Sequence, residues 1–111
     1  MVHRAVTTFA MLADATRLRL LAGLLDAEQD VTALTAAVGA ARPAVSQHLG
    51  KLRLAGLVTV RREGRRAVYT VAGPHVRRLV VEALYAAEHH VSDQPAHHDS
   101  VVTERSIPGP R

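Results

Sequence analysis

The sequence predicts a mainly α-helical domain carrying a single β-hairpin, and three observations carry that prediction. Its 111 residues suit one compact domain and leave little room for a second. They are 48% hydrophobic but include only two Tyr, one Phe and no Trp, so the core must be built of Leu, Val and Ala, the filling of packed helices rather than of a large β-sandwich. Finally, apolar residues recur at helical spacing along most of the chain, and one stretch alone is rich in β-branched residues around a turn.

Taken in order, residues 5–12 form a short helix. Asp14 is placed to cap a second, ATRLRLLAGLLD, whose Leu18, Leu21 and Leu25 share a face. VTALTAAV, residues 31–38, makes a third short helix that Gly39 stops. Pro43 stands where a helix can begin, since a first-turn N–H is unpaired anyway, and the fourth helix runs through AVSQHLGKLRLA until Gly56. LVTVRREGRRAVYTV then reads as a hairpin turning at Glu63-Gly64. Gly73-Pro74 breaks the chain before a final helix, HVRRLVVEALYAAEHH, with Val76, Leu79, Val80, Ala83, Leu84 and Ala87 on one stripe. From Ser92 onward the sequence loses apolar periodicity and ends in PGPR, so a mobile tail is expected.

Charge is distributed unevenly. The formal net charge is +4, from thirteen arginines and one lysine against ten acids. Between residues 42 and 66 stand Arg42, Lys51, Arg53, Arg61, Arg62, Arg65 and Arg66 against the single acid Glu63. Clustering on that scale favours a polyanion such as DNA over a merely solvated face. No cysteine is present, which excludes disulfides and thiolate sites. No apolar run approaches the roughly 18 residues of a membrane span, and the N-terminal apolar stretch is too short for a signal peptide, so an intracellular protein with no membrane partner is expected.

Short helix, glycine turn, second helix and basic hairpin follow the order of a winged helix-turn-helix, whose second helix enters the major groove, roughly 12 Å wide, with its N-terminal residues at base edges. Here those residues are Arg42, Pro43, Ser46 and Gln47. Arg42 can pair bidentately with guanine, Gln47 with adenine, and Ser46 with a base edge or phosphate, while Arg61, Arg62, Arg65 and Arg66 of the hairpin are placed for phosphates or the minor groove. His48 is read as a backbone contact or a solvated side chain.

The stretch DVTALTAAVGAARPAVSQHLGKLRLAGLVTVRREGRRAVYTV resembles the DNA-binding core of the ArsR/SmtB family of metal-responsive transcriptional regulators. AVSQHLGKLRLAGLV followed by RREGRRAVY is similar to the family's recognition helix and wing nearly residue for residue, and the likeness extends over about residues 5–90. It implies a cytoplasmic homodimer formed by the first and last helices and bound to a partly palindromic DNA operator. Residues 1–91 would be the DNA-binding and dimerisation domain, and residues 92–111 the His-containing tail.

The resemblance also frames the effector. Positions matching the family's thiolate pair at the third helix are Asp30 and Thr32, so that site is absent, and ions that favour thiolate fit poorly. Imidazole and carboxylate remain, which suit Ni(II), Co(II) or Zn(II). The candidates are His75, Glu88 and His89, with His97-His98 in the tail, a pattern similar to the family's nickel- and cobalt-sensing branch. Some relatives carry an acid and a further histidine where this chain has Gly73 and Ala86, which leaves the ligand set open. Fourteen residues at 1.5 Å put His75 and His89 roughly 21 Å apart along one helix, so one ion can join them only across a dimer of antiparallel last helices. His90 points about 100° away from His89, toward solvent. His3 is an accessory candidate, because Met1-Val2-His3 with a free amine can chelate a square-planar ion. The competing readings are a regulator of the same fold with no metal input, one acting as activator or with metal as co-repressor, and a metal-handling enzyme or carrier. No acid, base and nucleophile constellation supports the last.

Overall fold

A computed structural model describes the backbone from Met1 to Asp93 and the side chains as far as Glu88. Met1–Val81 form one compact unit and a second begins at Glu82. The element order is α1 (Val2–Leu12), α2 (Ala15–Asp26), β1 (Gln29–Asp30), α3 (Val31–Val38), α4 (Arg42–Leu54), β2 (Val58–Glu63), β3 (Arg66–Val71) and α5 (Gly73–Asp93). This is the mainly α architecture with one hairpin that the sequence predicts.

Helix α1 starts three residues earlier than periodicity suggests. The Ala5 amide donates to the Met1 carbonyl at 3.2 Å, and Thr7 and Thr8 fold their hydroxyls back onto the carbonyls of His3 and Arg4, which lets residues of poor helix propensity join the first turns. In α2 the Asp14 carboxylate accepts the Arg17 amide at 2.9 Å, the predicted cap. The face it buries is Leu20, Leu21 and Leu24, turned from the predicted Leu18-Leu21-Leu25 stripe, with Leu18 and Leu25 half-buried at its margin.

Asp30 caps α3 by accepting the Ala33 amide at 2.8 Å. Gly39 ends that helix at φ 68°, a left-handed conformation that costs glycine nothing and lets its N–H reach the Thr35 carbonyl. Helix α4 begins at Arg42, after an Ala41 that offers no side-chain cap; Pro43 sits in the first turn, where its missing N–H leaves no bond unmade. Val45, Leu49 and Leu52 of α4 are fully buried.

A three-stranded antiparallel sheet has the order β1-β3-β2. Strand β1 was not predicted: two residues are too few for a period, and only pairing of Gln29 with Tyr69 and Asp30 with Val68 defines it. The hairpin turn lies one residue later than predicted. Glu63 pairs with Arg66, so Gly64 and Arg65 form the two-residue loop, with Gly64 at φ 62°. The Gly73-Pro74 break is the first turn of α5 rather than a separate interruption, and the helix runs on to Asp93.

The core gathers the buried leucines of α2, α3 and α4 with Val58, Val71 and Val80, each contributing about 1.5–3 kcal/mol relative to an exposed side chain. Along α5, Val76 and Leu79 are half-buried and Val80 is fully buried. From Glu82 to Glu88 every residue is exposed, the apolar Ala83, Leu84 and Ala87 included. On α1, Val2, Val6 and Phe9 are also exposed. Among the described residues no helix is long and apolar enough to cross a membrane.

Candidate nucleic-acid interface and metal-ligand residues

The core side of α4 fixes its outer side. With Val45, Leu49 and Leu52 buried, helical geometry turns Pro43, Ser46 and Gln47 outward, and all three are exposed. Arg42 is exposed too, but its Nη1 donates to Thr32 Oγ1 at 2.9 Å, drawing the guanidinium toward the start of α3.

The four wing arginines divide into two classes. Arg61 makes a two-pronged bond to Glu28, at 2.5 and 2.6 Å, and also pairs with Glu63. Arg66 donates to Asp30 Oδ2 at 3.0 Å and to Glu63 Oε1 at 2.9 Å. The pairing acts on the titration of its members. The Arg61 bond holds Glu28 below the usual carboxylate range, Glu28 and then Glu63 raise Arg61, and Asp30 is lowered first by the Ala33 amide and then by Arg66. By contrast Arg62 and Arg65, also exposed, have no hydrogen-bond or ion-pair partner among the described residues. Seven bases against one acid along the sequence thus become seven against three in space, and the free charge is concentrated on Arg42, Arg62 and Arg65 together with Lys51 and Arg53.

Between α3, α4 and the wing lies an open cavity of about 290 Å³, lined by Asp30, Thr32, Arg42, Ser46, Arg62 and Arg65 among others. Sequence reasoning did not find Thr32 as the partner of Arg42, or Glu28 and Asp30 as ion-pair partners of the wing. Nor did it find the role of His48, whose Nδ1 lies 3.2 Å from Arg17 Nη1. Arg17 also donates from Nε to the Met11 carbonyl at 2.8 Å and from Nη2 to that of Ala10 at 3.4 Å. One side chain of α2 therefore ties the end of α1 to the reading helix, and His48 is a structural partner rather than a solvated residue.

The metal candidates are dispersed. His3 lies within α1 and is exposed; first-turn amides make no intrahelical bond, so a chelate through them would not compete with the helix. His75 is exposed in the first turn of α5, Glu88 is exposed, and His89 belongs to the last turns of that helix. His97 and His98 lie outside the described residues. Among the described residues, no three His, Asp or Glu side chains of one chain come together as a metal site.

Residues 14–60, from the Asp14 cap into the first wing strand, match the family model of bacterial regulatory proteins called the arsR family. Over 93 residues the chain is 48% identical to the HTH-type transcriptional regulator KmtR of Mycobacterium tuberculosis, a match covering 84% of this chain and 72% of that protein. The chain belongs to the ArsR family. The HTH-type transcriptional regulator NmtR of the same organism is 40% identical over 86 residues, covering 78% of this chain and 72% of NmtR. Among solved structures, the homodimeric winged helix-turn-helix DNA-binding domain of Mb0332 from Mycobacterium bovis superposes with a TM-score of 0.79 at 32% identity, over 84% of this chain and 86% of that one. HlyU from Vibrio cholerae gives 0.71 at 34% identity, over 78% and 92%. The fold is thus the winged helix-turn-helix, and its activity is DNA-binding transcriptional regulation rather than catalysis.

Proposed function

We propose that this ArsR-family chain is a homodimeric repressor whose affinity for its DNA operator is changed by Ni(II) or Co(II), with Zn(II) as a further ion the same donors accept. The observation that carries the reading is the donor set of α5. In a chain without cysteine, His75 is exposed at the start of the helix and Glu88 is exposed near its end, followed in sequence by His89, and imidazole with carboxylate suits these ions. His75 of one subunit with Glu88 and His89 of the partner subunit would hold the ion, joined by His97 and His98 and with His3 as an accessory. The bound ion would supply a cross-link between subunits and so bias the spacing of the two reading heads.

Dimerisation is supported by the apolar residues that α1 and the second half of α5 leave exposed, Val2, Val6, Phe9 and Leu84, and by the homodimeric Mb0332 domain. On each half-site Ser46 and Gln47 would read base edges with Pro43 beside them. Arg62 and Arg65 would meet phosphates, and Arg61 and Arg66 would hold the wing through Glu28, Asp30 and Glu63. Linkage then requires that if metal weakens operator binding, operator weakens metal binding by the same factor.

The test compares the wild type with the triple variant His75→Ala/Glu88→Ala/His89→Ala and with His97→Ala/His98→Ala. Equilibrium dialysis with Ni(II) and Co(II) gives stoichiometry, and DNA anisotropy with and without metal gives the coupling. The triple variant should bind operator as the wild type does without metal, lose the tight ion and lose the metal effect. Unchanged metal dependence would remove these ligands.

A further inference from the structure

We infer that the cavity between α3, α4 and the wing is a seat for one phosphate group of the DNA backbone, shared by Arg42, Arg62 and Arg65, and that Arg42 holds this phosphate instead of reading guanine. The inference rests on the DNA-binding activity of the chain and adds to it a defined subsite. Its first support is charge that the described residues leave largely uncompensated. Arg62 and Arg65 have no hydrogen-bond or ion-pair partner among the described residues, and Arg42 bonds only the neutral Thr32 hydroxyl, with Asp30 acting on it through space and without an ion-pair contact. The acid in the wall, Asp30, is fully engaged: its Oδ1 takes the Ala33 amide and its Oδ2 takes Arg66, which also pairs with Glu63. Because Asp30 already occupies the end of α3, the anion would be held by guanidinium groups and not by the helix terminus.

Size and lining agree. About 290 Å³ falls just below the roughly 300–1,000 Å³ of clefts for organic ligands, and the wall presents guanidinium groups with the hydroxyl-bearing Thr32 and Ser46. A tetrahedral oxyanion with its waters matches that lining. Arg42 is already committed in direction, since its bond to Thr32 draws it from α4 toward the start of α3, whereas bidentate guanine recognition needs both prongs aimed at a base edge. Ser46 and Gln47 are left to carry sequence information, and the seat fixes the depth and register at which they meet the groove.

The experiment measures binding to a fluorescent random-sequence duplex across a KCl series, because log K falls by about 0.9 per decade of salt for each phosphate neutralised. Wild type is compared with the triple variant Arg42→Gln/Arg62→Gln/Arg65→Gln and with Arg62→Gln/Arg65→Gln, which alters only two exposed wing side chains if the triple fails to fold. One shared seat predicts that the triple flattens the slope by about 0.9 per bound subunit and the double by no more than that. Losses near 2.7 and 1.8 would mean separate phosphates and overturn the shared seat, as would no loss at all. A parallel calorimetric titration of the DNA-free proteins with inorganic phosphate separates the sources: phosphate bound by wild type and lost in the triple, with an unchanged DNA slope, would make this a free-anion site and overturn the assignment to DNA. Failure of the wild type to bind any duplex would instead strike the DNA-binding reading itself.

Discussion

Replacing Arg17 by Met should loosen the joint between α1, α2 and the reading helix. The substitution keeps much of the apolar stem and deletes the guanidinium that donates to Met11 at 2.8 Å and Ala10 at 3.4 Å and faces His48 Nδ1 at 3.2 Å. A charge-assisted bond of good geometry contributes about 1.5–3 kcal/mol. The Ala10 contact is near the limit of a hydrogen bond and adds little, and Arg17 is only half-buried, so water replaces part of what is lost. About 2 kcal/mol is expected, or roughly 8–16 °C in Tm for a domain of this size. Urea unfolding at fixed protein concentration would show it as a lower midpoint at unchanged slope. Combining Arg17→Met with His48→Ala in a double-mutant cycle isolates the link between α2 and α4, for which a coupling of at least about 0.5 kcal/mol is expected. A single-variant loss below about 0.5 kcal/mol, with no coupling to His48, would refute the strut.

Three further outcomes follow from the same geometry. Gln47→Ala should leave the salt slope of operator binding unchanged while relaxing preference at one base pair per half-site by about 1–3 kcal/mol, read by anisotropy against a panel of single-base operator variants. Leu49→Ala opens a hole at a fully buried position of α4 and should cost about 2.7–5 kcal/mol in chemical denaturation. Asp14, Glu28 and Asp30 are all held below their ordinary values, Asp14 first by the Arg17 amide. The unfolded chain therefore binds more protons than the folded one as they titrate. Stability from these groups is present at neutral pH and should drain away as pH falls below about 4; a denaturation midpoint that rises on acidification from pH 5 to 3 would contradict their pairing.

What could be read in advance was local. The Asp14 cap, the Gly39 stop, Pro43 in a first turn and the hairpin are each written within a few neighbouring residues, and the structure has them all, with the hairpin loop displaced by one residue. Exposure of Ser46 and Gln47 follows from the period of α4. What escaped depends on residues far apart in sequence. Glu28 meets Arg61 and Asp30 meets Arg66 across 33 and 36 positions, and Arg17 meets His48 across 31. No pattern of charges along the chain distinguishes the paired Arg61 and Arg66 from the free Arg62 and Arg65; the pairing of β3 with both β1 and β2 does. Strand β1 was hidden for the same reason, being defined by its pairing alone.

The most direct test of metal-responsive regulation is fluorescence anisotropy of the purified full chain titrated onto DNA from its own upstream region, first with chelator and then with Ni(II), Co(II) or Zn(II), at fixed salt because phosphate contacts make affinity salt-dependent. Tight binding in chelator that Ni(II) or Co(II) weakens by a factor of about 5–150, the usual range of coupling between sites, is the predicted result. Equally tight binding with every metal would contradict it, leaving a DNA-binding ArsR-family regulator whose α5 histidines do not govern its operator.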